Sequence, residues 1–79
     1  MNEKLHLTAR IWREGDDYVA WCPELDVSSF GDDYDDALAK LHEAVVGYIA
    51  EVGYAEAAAE AHPEAATFPL EISIGGNAA

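Results

Sequence analysis

The sequence has very few basic residues: 4 Lys+Arg stand against 16 Asp+Glu, a formal net charge of −12 over 79 residues. Proteins bind a phosphate backbone through clustered Lys and Arg side chains, so this charge argues against direct contact with nucleic acid. An anionic membrane surface also attracts basic segments and is equally disfavoured. The charge suits a basic protein partner or a salt-rich cytosol, and charge alone does not separate the two.

Cysteine and long apolar runs are also scarce. The single cysteine, Cys22, excludes an intramolecular disulfide framework and favours a reducing compartment. No stretch approaches the roughly 20 apolar residues that cross a bilayer, and the first residues lack the apolar core of a secretion signal. We therefore expect a cytoplasmic protein with no membrane partner.

A chain of this length can bury only a small hydrophobic core, which limits the stability of a monomer. Hydrophobic residues make up 51% of it, but many of them are alanine, which contributes little apolar area. A domain of this size buries only about 60% of the surface that its unfolded chain exposes. We expect a single domain over residues 1–74, a disordered tail over 75–79, and a homodimer or homotetramer as the stable form.

Hydrophobic periodicity predicts strands in the first part of the chain. Apolar and polar residues alternate over 5–12, the pattern of a half-buried strand. A turn rich in Gly and Asp follows, and a second strand over 18–22 forms a hairpin with the first until Pro23 removes a ladder donor. A short third strand over 27–30 precedes Gly31.

The clearest local signal is a helix start at Asp33. This residue can act as N-cap, and Asp36 lies three residues later in the capping-box position. Apolar residues then recur at intervals of three and four as far as Val52, which gives an amphipathic helix ending before Gly53. The Ala/Glu-rich stretch over 54–61 either extends this helix or forms a short second one.

The last apolar residues predict a further strand. After a connection over 63–67, four apolar residues at period two form one apolar face: Phe68, Leu70, Ile72 and Ile74. Pro69 places this strand at a sheet edge or before ladder pairing begins. The element order is β-β-β-α-β, an α+β fold in which one amphipathic helix covers one face of a three- to four-stranded, mainly antiparallel sheet.

One helix leaves the other face of such a sheet without cover from this chain. The second strand is apolar on both sides, so its two registers leave either Val19 and Trp21 or Tyr18 and Cys22 on the uncovered face. A partner surface is the economical cover for such a face. The candidate interface residues are Trp12, Tyr18, Val19 and Trp21.

Two segments of the chain resemble the motifs of the HicB-like antitoxin family. The first, Tyr-x-Ala-x-x-Pro-Glu-Leu, is formed by Tyr18, Ala20, Pro23, Glu24 and Leu25. The second is a Gly-Asp helix start followed by Ala-Leu, formed by Gly31, Asp32, Ala37 and Leu38. Asp33 replaces the usual Thr or Ser cap and Asp36 the usual Glu, and both preserve the capping chemistry. These family-motif positions are expected to serve the fold: Pro23, Glu24, Leu25, Gly31, Asp33, Asp36, Ala37 and Leu38.

The resemblance covers about residues 5–52 and implies a partial ribonuclease-H-like fold with a protein-binding role. HicB-like proteins neutralise HicA toxins, small basic mRNA-cleaving ribonucleases, whose RNA-binding face an acidic protein can occlude. Many members carry a C-terminal DNA-binding segment, and this chain is expected to be a stand-alone form without it. The alternative is a homo-oligomeric module without a toxin partner, whose acidic surface suits a high-salt cytosol.

Patterns for catalysis, metals and cofactors are weak. Most aspartates stand at the predicted hairpin turn or helix start, where turn and cap preferences explain them. His42-Glu43 begins like a zincin motif, but Val46 occupies the second histidine position. Cys22 has no base at an informative spacing, and there is no glycine-rich phosphate loop. We therefore expect no catalytic, metal or cofactor site, and a protein that is not an enzyme.

Overall fold

The described residues of the chain, 4–75 in a computed structural model, form a small sheet followed by helices. The elements are β1 (Arg10–Glu14), β2 (Asp17–Cys22), β3 (Val27–Gly31), α1 (Tyr34–Val52) and α2 (Tyr54–Ala61). The three strands form one antiparallel sheet in the order β1-β2-β3. The predicted α+β class is therefore confirmed. The tail expected over 75–79 lies, apart from Gly75, outside the described residues.

The hairpin of β1 and β2 closes where Glu14 pairs with Asp17. Gly15, the first of the two turn residues between them, has φ 66°, a left-handed conformation that glycine adopts without steric strain. The local Gly-Asp signal in the sequence therefore corresponds to a tight two-residue turn.

The predicted first strand over 5–12 begins later than its alternation suggests. If the β1–β2 register is continued, it places Thr8 opposite Pro23, which has no N–H to donate. Residues 4–9 consequently lie outside the ladder. Their alternation still governs packing, because Leu5 and Leu7 are half-buried against the core.

The core lies between α1 and one face of the sheet and is built from small side chains. Cys22 is the largest side chain that is fully buried among the described residues. Larger aliphatic residues surround this centre and are only partly buried. The buried cluster consists of Ala20, Cys22, Leu25, Ala37, Leu41 and Ala57. Small residues at the centre allow the helix to lie close to the strands.

The start of α1 lies directly against the end of β3. A Cβ added to Gly31 would lie 2.3 Å from the backbone nitrogen of Ala37, so only glycine fits. Asp33 is the N-cap, as predicted, and its carboxylate accepts from the Asp36 N–H at 2.7 Å. The Asp36 carboxylate accepts from the Asp32 N–H at 2.9 Å, one residue before the cap rather than at the cap itself.

The stretch over 54–61 forms a separate helix. Gly53 has φ 93°, and its N–H donates to the Ile49 carbonyl, which ends α1 and redirects the chain. The Tyr48 hydroxyl donates to the Glu60 carboxylate at 2.6 Å and ties α2 to α1. Of the two alternatives for this stretch, the structure has the short second helix.

The predicted final strand over 68–74 is not formed. Its apolar residues Phe68, Leu70, Ile72 and Ile74 are exposed, and no ladder of the described sheet includes them. Alternation specifies the two faces of an extended segment, but a strand also requires a partner edge for its backbone groups. Residues 68–74 pair with no strand edge of the described sheet, so this part of the prediction is wrong for the single chain.

Alanine is expected to have opposite effects on the free energy of unfolding at Gly31, where β3 meets α1, and at Gly47, within α1. Gly31→Ala is expected to lower the free energy of unfolding by about 3 kcal/mol, because its Cβ overpacks against helix backbone. Gly47→Ala is the matched control: nothing lies within 4 Å of its added Cβ, and it replaces a helical glycine. It should raise the free energy of unfolding by about 1 kcal/mol. Urea denaturation followed by circular dichroism measures both, and equal effects would contradict the close approach.

Candidate functional site

The sheet face turned away from α1 carries most of the large aromatic side chains of the strands. Ala20 and Cys22 belong to the core beneath the helix, so Val19 and Trp21 point to the opposite side of β2. The structure thus selects one of the two registers that the sequence leaves open. We call this side the open face; it comprises Arg10, Trp12, Glu14, Asp17, Val19, Trp21, Ser28 and Phe30.

An apolar row crosses all three strands at the centre of the open face. The register places Trp12 opposite Val19 and Val19 opposite Phe30. Val19 is only 8% exposed, whereas Trp12 is 38% and Phe30 61% exposed. The two flanking rings therefore cover the valine while their own outer surfaces remain in solvent.

Both indole rings on the open face are held by carboxylates. The Trp12 Nε1–H donates to Glu14 Oε1 at 2.9 Å. The Trp21 Nε1–H donates to Asp26 Oδ1 at 3.0 Å. Asp26 lies in the turn after β2 and has φ 55°. These bonds satisfy the polar atom of each ring and restrict its rotation. The apolar ring surfaces are therefore pre-oriented before any partner arrives.

Tyr18 does not belong to the open face. It is half-buried on the side covered by α1, and its ring centroid lies 4.8 Å from that of Tyr34. Of the four predicted interface residues, Trp12, Val19 and Trp21 therefore lie together on the open face, and Tyr18 lies on the opposite side of the sheet. Phe30, which the sequence analysis missed, joins them. The β2–β3 register that would have revealed it is not encoded in local alternation.

Charges surround the apolar row and are mostly negative. Glu14 and Asp17 form the pair at the hairpin end of the open face, and Asp26 lies beside Trp21. Arg10 is the one basic residue on this face. A chain of net charge −12 with such a face is electrostatically complementary to a basic surface.

The Pro-Glu-Leu segment fastens the residues before β1 to the turn between β2 and β3. Glu24 accepts from the Thr8 N–H at 3.0 Å and from the Thr8 hydroxyl at 2.6 Å. Leu25 is buried in the core, and Pro23 follows the last residue of β2. Glu24 and Leu25 thus hold this segment in place, whereas Leu38, another family-motif position, is 47% exposed.

The pKa values of this region agree with that role. Partial burial raises the pKa of Glu24, but its hydrogen bonds, of which the two from Thr8 are the largest, together lower the pKa overall. Burial, together with the nearby Glu24 carboxylate, raises the pKa of the Cys22 thiol. A buried, protonated thiol suits packing rather than nucleophilic attack.

An apolar concavity lies on the helix side of the molecule, beside the residues that precede β1. It has a volume of about 310 Å³ and separates residues 5–9 from the flank of α1. Leu38 and Val46 on its helix wall are 47% and 54% exposed. We call it the groove; its lining comprises Leu5, Leu7, Thr8, Ala9, Cys22, Leu38, Leu41, His42, Val45, Val46 and Ile49.

Neither a metal cluster nor a membrane-crossing helix is found in the part of the chain that the structure describes. Within residues 4–75, no three His, Cys, Asp or Glu side chains come together so as to hold a metal ion. No helix there combines the length and apolar character needed to cross a bilayer. Comparisons with family models, with curated proteins and with solved structures find no match to this chain.

The hydrogen bonds of Glu24 predict a pH-dependent contribution to stability. Because its pKa is lowered in the folded state, Glu24 stabilises the fold above its unfolded pKa of about 4.3 and loses this effect as pH falls through its folded pKa. Glu24→Gln should lower the free energy of unfolding by about 1 kcal/mol at pH 7, and the difference from wild type should shrink below about pH 4.

Chemical denaturation across pH 3–7 in about six steps measures this difference. Glu43→Gln, which removes the same charge from an exposed position on α1, is the control and should follow the wild-type profile. A Glu24→Gln profile that stays parallel to wild type through acid pH would show that Glu24 does not clamp the Thr8 segment.

Proposed function

We propose that this chain is a HicB-like, antitoxin-type protein that binds and blocks a small basic mRNA-cleaving ribonuclease of the HicA type. The observation that carries the proposal is the open face, where pre-oriented indole rings and an exposed phenylalanine form an apolar surface that no described element covers. The chain acts by occlusion and supplies no catalytic group.

The composition of the open face favours protein binding. Aromatic residues near the centre of an interface supply most of the binding free energy, because they bury a large rigid area with little loss of conformational entropy. Trp12 and Phe30 offer such anchors on either side of Val19. The carboxylates that accept from the indoles form part of a polar rim around them.

Charge supports a basic partner over a neutral one. A protein of net charge −12 attracts a basic ribonuclease over several ångströms and accelerates encounter, most strongly at low salt. A surface that binds RNA is rich in Lys and Arg, and an acidic cover competes directly with the phosphate backbone for it. Occlusion of the RNA site therefore follows from the same charges that guide association.

The arrangement of the motif residues also supports the HicB-like assignment. Gly31 and Asp33 form the junction of β3 and α1, and Glu24 with Leu25 forms the turn that precedes β3. Motifs whose residues each serve one local junction mark a shared fold more strongly than scattered identities do. The resemblance thus rests on positions with a physical reason to recur.

A stand-alone homo-oligomeric module with a halophilic-type acidic surface is the alternative function. In that case the acidic residues maintain solubility in a salt-rich cytosol. The gene neighbourhood separates the two functions: a short basic protein encoded beside this chain favours the antitoxin, and its absence favours the module.

The central test is an RNA-cleavage assay with that neighbouring basic protein. Wild-type chain in excess should abolish cleavage. Trp12→Ala and Phe30→Ala should each weaken inhibition by about 30-fold in Kd, since loss of a central aromatic removes about 2 kcal/mol. Tyr34→Ala, which truncates an exposed aromatic on the helix side of the sheet, is the control and should inhibit like wild type. Unimpeded cleavage with wild type in excess would refute the antitoxin function.

A further inference from the structure

Residues 68–74, which we call the arm, present an apolar face that the described chain leaves uncovered. Its four apolar side chains, Phe68, Leu70, Ile72 and Ile74, are 79%, 85%, 70% and 82% exposed. The radius of gyration is 15.9 Å, against about 12 Å for a compact chain of this length. The chain therefore extends beyond its compact body. A run of alternating apolar side chains in solvent has the chemistry of a strand that lacks its sheet.

The groove offers a surface of matching chemistry. Helix α1 packs mainly over β3 and β2, so its flank beside β1 stays open and forms the groove wall. The lining is largely aliphatic, and β1 is an outer strand whose far backbone edge pairs with no described residue. Seven residues in strand conformation span about 23 Å, longer than the five residues of β1.

We propose that the arm of one copy lies in the groove of a second copy and adds to its sheet as a strand beside β1. The second copy returns the same contact through a two-fold axis, so both arms and both grooves are filled. The occupant of the groove is thus a second copy of this chain, which forms an arm-exchanged dimer.

The distribution of charge favours a second copy at the β1 edge of the sheet. Glu71 is the only charged residue of the arm, in a chain that otherwise carries acids throughout. Three of the four basic residues of the sequence, Lys4, Arg10 and Arg13, lie on β1 or just before it. Two copies that repel each other elsewhere therefore meet at their least acidic segments.

Pro69 limits the exchange to a closed pair. Successive residues of a strand direct their backbone groups to alternate edges, so residues 70, 72 and 74 share one edge and Pro69 lies on the other. Because Pro69 has no N–H, the edge formed by 70, 72 and 74 pairs with β1 and the proline edge faces solvent. A further strand cannot easily add there, which opposes growth into a fibre.

The exchanged dimer goes beyond the proposed function and uses a different surface. In the exchanged dimer the arm fills the groove on the helix side, whereas the open face lies on the other side of the sheet. A dimer formed through the arms therefore leaves Trp12, Trp21 and Phe30 free for a basic partner.

Sedimentation equilibrium of the full chain tests the proposal with two adjacent substitutions. Wild type should have twice the 8.5 kDa chain mass. Ile72→Asp places a charge on the apolar side of the arm and should weaken dimerisation by about 100-fold. Ser73→Asp adds the same charge on the other side and should retain the dimer. Since both residues are exposed in the single chain, circular dichroism should show both variants folded.

Disulfide trapping then separates exchange from folding back. Isotope-labelled chains carrying Leu38→Cys or Val46→Cys, on the groove wall, are mixed with unlabelled Ile72→Cys chains and oxidised. All chains carry Cys22→Ala, because native Cys22 has a free thiol and lines the groove. Exchange predicts mixed-isotope disulfides between arm and groove in mass spectra.

Three results would each overturn the exchange. They are a monomeric wild type, equal masses for Ile72→Asp and Ser73→Asp, and arm–groove disulfides that form only within one chain of a double variant. A mass that falls for Trp21→Ala but not for Ile72→Asp would likewise place self-association on the open face instead.

Discussion

The close packing of the first turn of α1 on the end of β3 is the constraint on which the rest of this structure depends. Gly31 permits backbone-to-backbone approach, and the Asp33 cap fixes where the helix begins. From that junction α1 runs over a layer of small side chains, with Cys22 as the largest that is fully buried. The core buries few large side chains, so close contacts between the helix and strand backbones contribute much of its stability.

Apart from Leu25 and Leu41, the core consists of small residues, and most of the large apolar side chains lie outside it. They collect on the open face, along the groove and on the arm, and two of these surfaces lie on opposite sides of the sheet. Acidic residues occupy turns, caps and the rim of the open face, whereas basic residues concentrate on and before β1. One chain of this size can therefore present a surface for a basic partner and another for its own copy without conflict between them.

Sequence alone predicts the locally determined features and misses those set by pairing. The Asp33 cap, the Gly15 turn and the strand and helix types follow from neighbouring residues, and the structure contains them. The start of β1 depends instead on its register against β2, where Pro23 ends the ladder. Because β2 is apolar on both sides, alternation does not decide whether Tyr18 or Val19 lies on the open face. Phe30 joins that face only through the register of β3 against β2, which alternation within β3 does not encode. Residues 68–74 have strand periodicity, but within the described residues 4–75 no strand edge pairs with them.

Recognition through the open face can be followed at the two tryptophans of the chain, both of which lie on it. Their indole N–H groups give two separate signals in a proton–nitrogen correlation spectrum of the labelled protein. During titration with the basic protein encoded beside it, both indole signals should shift or broaden in step with inhibition of RNA cleavage. Binding that leaves both indole signals unchanged would contradict the open face as the site of recognition.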